Sequence, residues 1–182
     1  MDNKAPDPGL DHKLTFVLKP LDAMDSPLIR NVYAVWREKR GSRRFPAKVA
    51  ITPRDIKDSL RFTSLMQVVD GGRDFAYRLR GDKLNQSIHH AYGEKLLGKT
   101  ASEFVDLGDL YDLAHRPVVE SGIPRLIEAF RQLGGCGVRC SEMLYLPLGD
   151  DDRLVDHIMA ISVAVPRLEP WCNEDAVHAS HV

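Results

Sequence analysis

The sequence predicts an α+β fold, one antiparallel sheet with helices packed against it. Three observations predict it. The stretch Phe62–Gly81 (FTSLMQVVDGGRDFAYRLRG) places two apolar or alternating runs, Leu65–Val69 and Phe75–Leu79, on either side of Asp70-Gly71-Gly72-Arg73-Asp74. A Gly-rich connection of that length between two such runs marks a β-hairpin. Leu28, Val32, Val35 and Trp36 recur at i, i+4, i+7 and i+8, one face of a helix. The second half then brings further strand-like runs, and no catalytic motif interrupts them. That order points to a sensor or docking domain rather than an enzyme.

In chain order, residues 1–25 hold Pro6, Pro8, Gly9 and Pro20 among scattered charges. They read as a flexible N-terminal arm with a short extended piece at Leu14–Leu18. Residues 26–61 form a helical lead-in. Ser26 caps and Pro27 opens a helix over Pro27–Arg40, which Gly41 stops. Phe45-Pro46-Ala47-Lys48 is extended because of its proline. Thr52-Pro53-Arg54-Asp55 predicts a second, short helix to about Leu60, with Thr52 as cap and Asp55 at the positive end.

Residues 62–166 form the core. After the hairpin, Asp82–Ala91 reads as helix, Ala101–Val105 as one helical turn, and Leu110–Ser121 as a longer helix capped by Asp109. Pro117 kinks that helix or marks its end. Arg125–Leu133 (RLIEAFRQL) has the apolar spacing of a helix. Met143–Leu148 and Val155–Val165 are strands joined through Gly149-Asp150-Asp151-Asp152. In the last strand His157, Met159, Ile161 and Val163 share one side, while Ile158, Ala160, Ser162 and Ala164 share the other. Neither side is strongly polar, so the strand is central and covered on both faces. Residues 167–182 read as a C-terminal tail.

The chain's 182 residues are enough for one domain with a real core. A net charge of −1 supplies no global field for nucleic acid or an anionic membrane. No apolar run approaches the roughly 20 residues that span a bilayer. The start MDNKAPDPGLDHK lacks the basic and apolar regions of a signal peptide. A cytoplasmic location is therefore expected. Three cysteines, Cys136, Cys140 and Cys172, are an odd number for a disulfide framework. On one strand Cys136 and Cys140 would stand about 13 Å apart, beyond bridging.

Longer stretches carry a resemblance. DFAYRLRGDKL (residues 74–84) continues to HHAYGEKLLGKTASEF, and VVESGIPRL and EMLYLPLGDDDRLVDHIM follow in order. Upstream stand Trp36, the basic cluster with Gly41, Arg43 and Arg44, Phe45-Pro46, and Pro53-Arg54-Asp55-Ile56. Over about residues 27–166 the chain resembles the PAS domain family. It is similar in particular to a compact bacterial subfamily in which one PAS domain with an N-terminal helical lead-in makes nearly the whole protein. The resemblance implies a five-stranded antiparallel sheet of order 2-1-5-4-3 with helices over one face. It also implies that Arg125–Leu133 is the third strand, against its own periodicity. Gly134-Gly135-Cys136-Gly137 then forms a hairpin to a fourth strand over Val138–Leu148.

The resemblance implies a non-enzymatic sensory or signalling protein that senses a small ligand, contacts a signalling protein, or both. With no second domain expected in the chain, output would be protein–protein contact. The candidate pocket wall is Phe75, Tyr77, Leu79, His90, Phe104, Leu113, His115, Met143, Tyr145, Met159 and Ile161. These side chains fit a small-molecule cavity and equally a filled core. Leu28, Val32, Val35 and Trp36 are candidates for a homodimer interface, because an apolar stripe outside the core must be covered by something.

No cofactor is required. The family's flavin-bonding photosensors use an Asn-Cys-Arg-Phe-Leu-type helix, and Leu84–Tyr92 has no cysteine. A haem- or flavin-bearing redox or gas sensor is the alternative, with His89 or His90 and His115 as the histidines that would serve iron. A second alternative is a nucleic-acid-binding regulator using the basic cluster Arg37–Arg44. The cluster is read instead as a helix end whose cations complement the dipole and pair with acids. No metal site is expected: Asp150-Asp151-Asp152 reads as a solvated turn, and Cys172, His178 and His181 lie apart in the tail.

Overall fold

The computed structural model describes residues 14–86, 98–100, 108–133, 136–165 and 170–171. Of the helix expected over Asp82–Ala91, Asp82–Gln86 is a 3-10 helix and the remainder lies outside the described residues, as do the expectations placed on Ala101–Val105 with Phe104, on His89 and His90, and on Cys172, His178 and His181.

The elements are β1 (Leu14–Lys19), α1 (Pro27–Arg40), β2 (Thr63–Val69), β3 (Asp74–Arg80), α2 (Gly108–Leu110), a π turn (Tyr111–His115), α3 (Arg116–Ser121), β4 (Arg125–Leu133), β5 (Cys136–Leu148), β6 (His157–Ala164) and β7 (Pro170–Trp171). All strand pairs are antiparallel, in the path β1-β4-β5-β6-β2-β3, with β7 beside β5. The fold is α+β, as expected.

The hairpin forms where its sequence placed it. Val69 stands opposite Asp74, and Asp70, Gly71 and Gly72 turn the chain at φ 48, 65 and 92. Gly72 meets this positive φ without strain, and it also sits against α3: a Cβ there would come 3.1 Å from Val119 Cγ1.

β4 is a strand although Leu126, Ile127, Phe130 and Leu133 follow a helical spacing. It lies between β1 and β5, and pairing on both sides outweighs its helical propensity. Two other expectations need correcting. Residues 14–25 are not an arm: Leu14–Lys19 pairs with β4 along six residues, and Met24 is buried. Residues 52–60 are not a helix but successive turns, closed by Asp55 N–H to Thr52 O and Ser59 N–H to Ile56 O. Asp55 caps this segment by accepting from both the Thr52 amide at 2.7 Å and the Thr52 hydroxyl at 2.6 Å.

The sheet has two covered faces. On one lies α1, which forms as its sequence dictates. Ser26 caps it, Pro27 opens it, and Gly41 ends it at φ 55. Ile29, Val32 and Trp36 are buried against the sheet, and the Trp36 indole N–H donates to Pro147 O at 2.9 Å. On the other face lies the segment from Gly108 to Ser121. Pro117 there has no amide to donate, and the turn before it is π: Arg116 N–H reaches Tyr111 O. One hydrophobic core joins the α1 side chains to both faces of the sheet.

Candidate functional site

A small cavity lies between the sheet and the π turn. Phe75 and Tyr77 come from β3, Met66 from β2, Tyr145 from β5, Ala160 and Ser162 from β6, and Tyr111 and His115 from the π turn. At the regular 100° per residue, His115 would point about 140° away from Leu110, five residues before it. The wider π turn brings both inside, so Leu110, Ala114, His115 and Val118 are all buried.

His115 sits inside an aromatic ring of neighbours. Its centroid lies 5.0 Å from Phe75, 5.2 Å from Tyr145 and 6.2 Å from Tyr111. Burial lowers its pKa to about 4, so the imidazole is neutral at physiological pH. Burial raises the Tyr77 phenol to about 12 and the Tyr145 phenol well above its ordinary value, so both stay protonated. The Tyr145 hydroxyl points to Met143 Sδ at 3.6 Å. Tyr111 donates to Gly72 O at 2.9 Å and to Arg73 O, which ties the hairpin turn to the π turn.

The space that remains is about 10 Å3, bordered by Ser64, Met66, Tyr77, Leu84, His115, Tyr145, Ala160, Ile161 and Ser162. Pockets for drug-sized molecules run to about 300–1,000 Å3.

Strand register sorts the expected wall residues. Phe75, Tyr77, His115, Met143 and Tyr145 are buried and share the cavity side. Leu79 does not. A bulge at Arg78 lets Leu79 stand opposite Leu65 and Tyr77 opposite Met66, so the alternation flips and Leu79 is 37% exposed. The same flip puts Arg80 opposite Ser64, on the Tyr77 side.

Met159 is likewise on the other face. It pairs with Leu65 and Leu146, whereas Tyr145 stands opposite Ala160 and Met143 opposite Ser162. Ile161 borders the cavity but pairs with Leu144 and Thr63, in the same alternation as Met159. Leu113 faces a separate groove of about 470 Å3 with Leu14, Phe16, Asp109 and Asp112. His90 and Phe104 lie outside the described residues.

Val32 and Trp36, expected at a dimer interface, are instead spent on the chain's own sheet, while Leu28 and Val35 flank them half-buried. Ile29 completes the buried stripe at i, i+3 and i+7. The basic cluster is largely absorbed as well. Arg43 donates to Gly149 O and Asp150 O and pairs with Asp152 at 3.4 Å; the Arg44 amide donates to Asp152 Oδ1 at 2.9 Å. Lys39 pairs with Asp55. The acid run at 150–152 and the arginines at 43–44 therefore serve each other.

Sequence reasoning missed a second buried cluster, on the α1 side. Glu142 is 2% exposed, and its carboxylate accepts from the Asp25 amide at 2.9 Å and the Ser26 amide at 2.8 Å. Glu128 stands opposite it in the ladder and pairs with Lys19 and Arg139, and Arg139 also holds Asp25. The signal was an acidic residue next to an apolar run in each of two strands, Glu128 after Leu126-Ile127 and Glu142 before Met143-Leu144.

A family model described as PAS domain matches residues 24–161. The chain belongs to the PAS domain family, and one such domain forms nearly all of it. No curated protein and no solved structure matches it. Membership carries a sensory or signalling role in general. Among the described residues, no helix is long and apolar enough to cross a membrane.

Proposed function

We propose that this PAS domain is a non-enzymatic sensor whose cavity, beneath the π turn, sets how firmly α1 is seated on the opposite face of the sheet. Output is contact between the α1 side of the domain and a signalling protein.

One observation carries this reading: β5 belongs to both sites. Met143 and Tyr145 look toward the cavity, whereas Glu142, Leu144 and Leu146 alternate with them toward α1. The strand's Pro147 carbonyl takes the Trp36 indole hydrogen, and Glu142 takes two amides at the start of α1. A change of shape on one side of β5 is therefore felt within one residue on the other. Interiors packed to crystal density transmit such shifts rather than absorb them.

Ala160→Val tests the reading, because Ala160 lies opposite Tyr145 and borders the cavity. The added methyls crowd Tyr145. Amide exchange in α1 is expected to rise at least fivefold, with β1 unchanged. Equal rates in α1, in a variant whose His115 ring resonances have moved, would sink the proposal.

A further inference from the structure

Among the described residues, two buried polar atoms in the cavity have no protein partner. His115 is 1% exposed and its Nδ1 makes no hydrogen bond; Ser162 is 5% exposed and its Oγ makes none. They stand on opposite walls, one on the π turn and one on β6, and border the same space of about 10 Å3. A buried donor or acceptor left unpaired costs its full desolvation, so native interiors fill such positions with a partner. About 10–15 Å3 of this kind of space holds one water-sized group.

The chemistry of the lining narrows the guest. With the imidazole neutral, no described residue bordering the space is charged. An ion entering it would lose its hydration with no charged group in that lining to replace it, so the guest is neutral. A serine hydroxyl donates and accepts, and a neutral imidazole nitrogen does one or the other. A guest that bridges them is best both donor and acceptor. That is a hydroxyl.

We infer that this cavity is a binding site for one neutral hydroxyl group, held between His115 Nδ1 and Ser162 Oγ. The hydroxyl comes from a single internal water or from the terminal group of a small alcohol-type ligand. Water fits the space as it stands. A ligand also needs its carbon chain housed, and Met66, an unbranched thioether in the lining, is the side chain best able to change rotamer for it. The inference deepens the sensor reading by naming what the cavity takes.

The experiment is histidine ring NMR on the full chain, with 1-propanol as probe and sodium acetate as its charged counterpart. A water cross-peak to the His115 ring is expected in the wild type and lost in Ser162→Ala. If propanol removes that peak with a saturable shift of the ring signals, the hydroxyl is a ligand's. If the peak survives propanol, the hydroxyl is water's.

No cross-peak together with no saturable propanol shift overturns the inference, as does a saturable shift with acetate. The wild-type arms decide alone if Ser162→Ala does not fold. These readouts concern the His115 ring and not α1 exchange, so the site and its coupling to α1 fail independently.

Discussion

His115 shows how position sets chemistry at the scale of one residue. Its described neighbours offer no charge to stabilise an imidazolium: Phe75, Tyr111 and Tyr145 surround it, Tyr77 lies in the same cavity, and burial keeps the Tyr77 and Tyr145 phenols protonated. In the unfolded chain this histidine titrates near 6.5; in the fold, near 4. Between those values the unfolded state binds more protons, so stability falls as pH falls. Above pH 6.5 both states are neutral and the effect vanishes. By pH 4 the loss is on the order of 3 kcal/mol. Urea melts of the wild type and His115→Leu across pH 4–7 check this: the variant's stability is expected to fall less steeply with acid, and parallel curves would contradict it.

Gly149 gives a second prediction at this scale. A Cβ there would lie 2.2 Å from Leu154 O and 2.6 Å from Phe45 Cε2. Gly149→Ala is expected to cost roughly 2–3 kcal/mol, because backbone must move to admit it. A change under about 0.5 kcal/mol in denaturant melts would show that the turn yields freely.

At the scale of elements, α1 is seated from both ends. Trp36 fixes its body to Pro147, and Glu142 fixes its start through the Asp25 and Ser26 amides. Hydrogen bonds to a charged group contribute about 1.5–3 kcal/mol each. Glu142→Gln keeps the shape but replaces one acceptor oxygen with a donor facing an amide. Exchange at Asp25 and Ser26 is expected to rise about tenfold or more, with the β5–β6 ladder unchanged. Unchanged protection at those two amides would deny Glu142 this role.

The elements also show what was legible in the chain. The hairpin and α1 announced themselves because turn chemistry and caps act locally: Gly71-Gly72 demand a turn, and Ser26-Pro27 start a helix. β4 did not, because its strand state depends on partners at β1 and β5, remote in sequence. The resemblance supplied what periodicity could not. The cavity wall was half legible for a related reason. Alternation groups Met159 with Ile161, and Ala160 with Ser162, but both groups are apolar enough to face inward, so nothing local says which meets the helices. Size favours the larger residues as a wall, but the fold puts the smaller ones there, where they leave space. Leu79 was lost to a single bulge that no composition marks.

At the scale of the molecule, the lead-in at 26–61 and the core at 62–166 are not separate bodies. Ile29, Val32 and Trp36 sit in the same hydrophobic cluster as Phe75, Ile127 and Tyr145. Unfolding is therefore expected to be one transition, with tryptophan emission and far-ultraviolet dichroism coincident in a Trp171→Phe background. Trp36→Ala is expected to lower that stability by about 3–5 kcal/mol. An early tryptophan transition at constant dichroism would mean that α1 detaches alone.

On the proposed reading, cavity and α1 share β5 and so respond to each other. Coupling between two sites is reciprocal, so it can be read against its functional direction. The most direct measurement is the ring spectrum of His115 in Glu142→Gln, where the change is made on the α1 face. A shift in the His115 ring signals is expected together with loosened Asp25 and Ser26 amides. Loosened amides beside an unmoved His115 ring would contradict it.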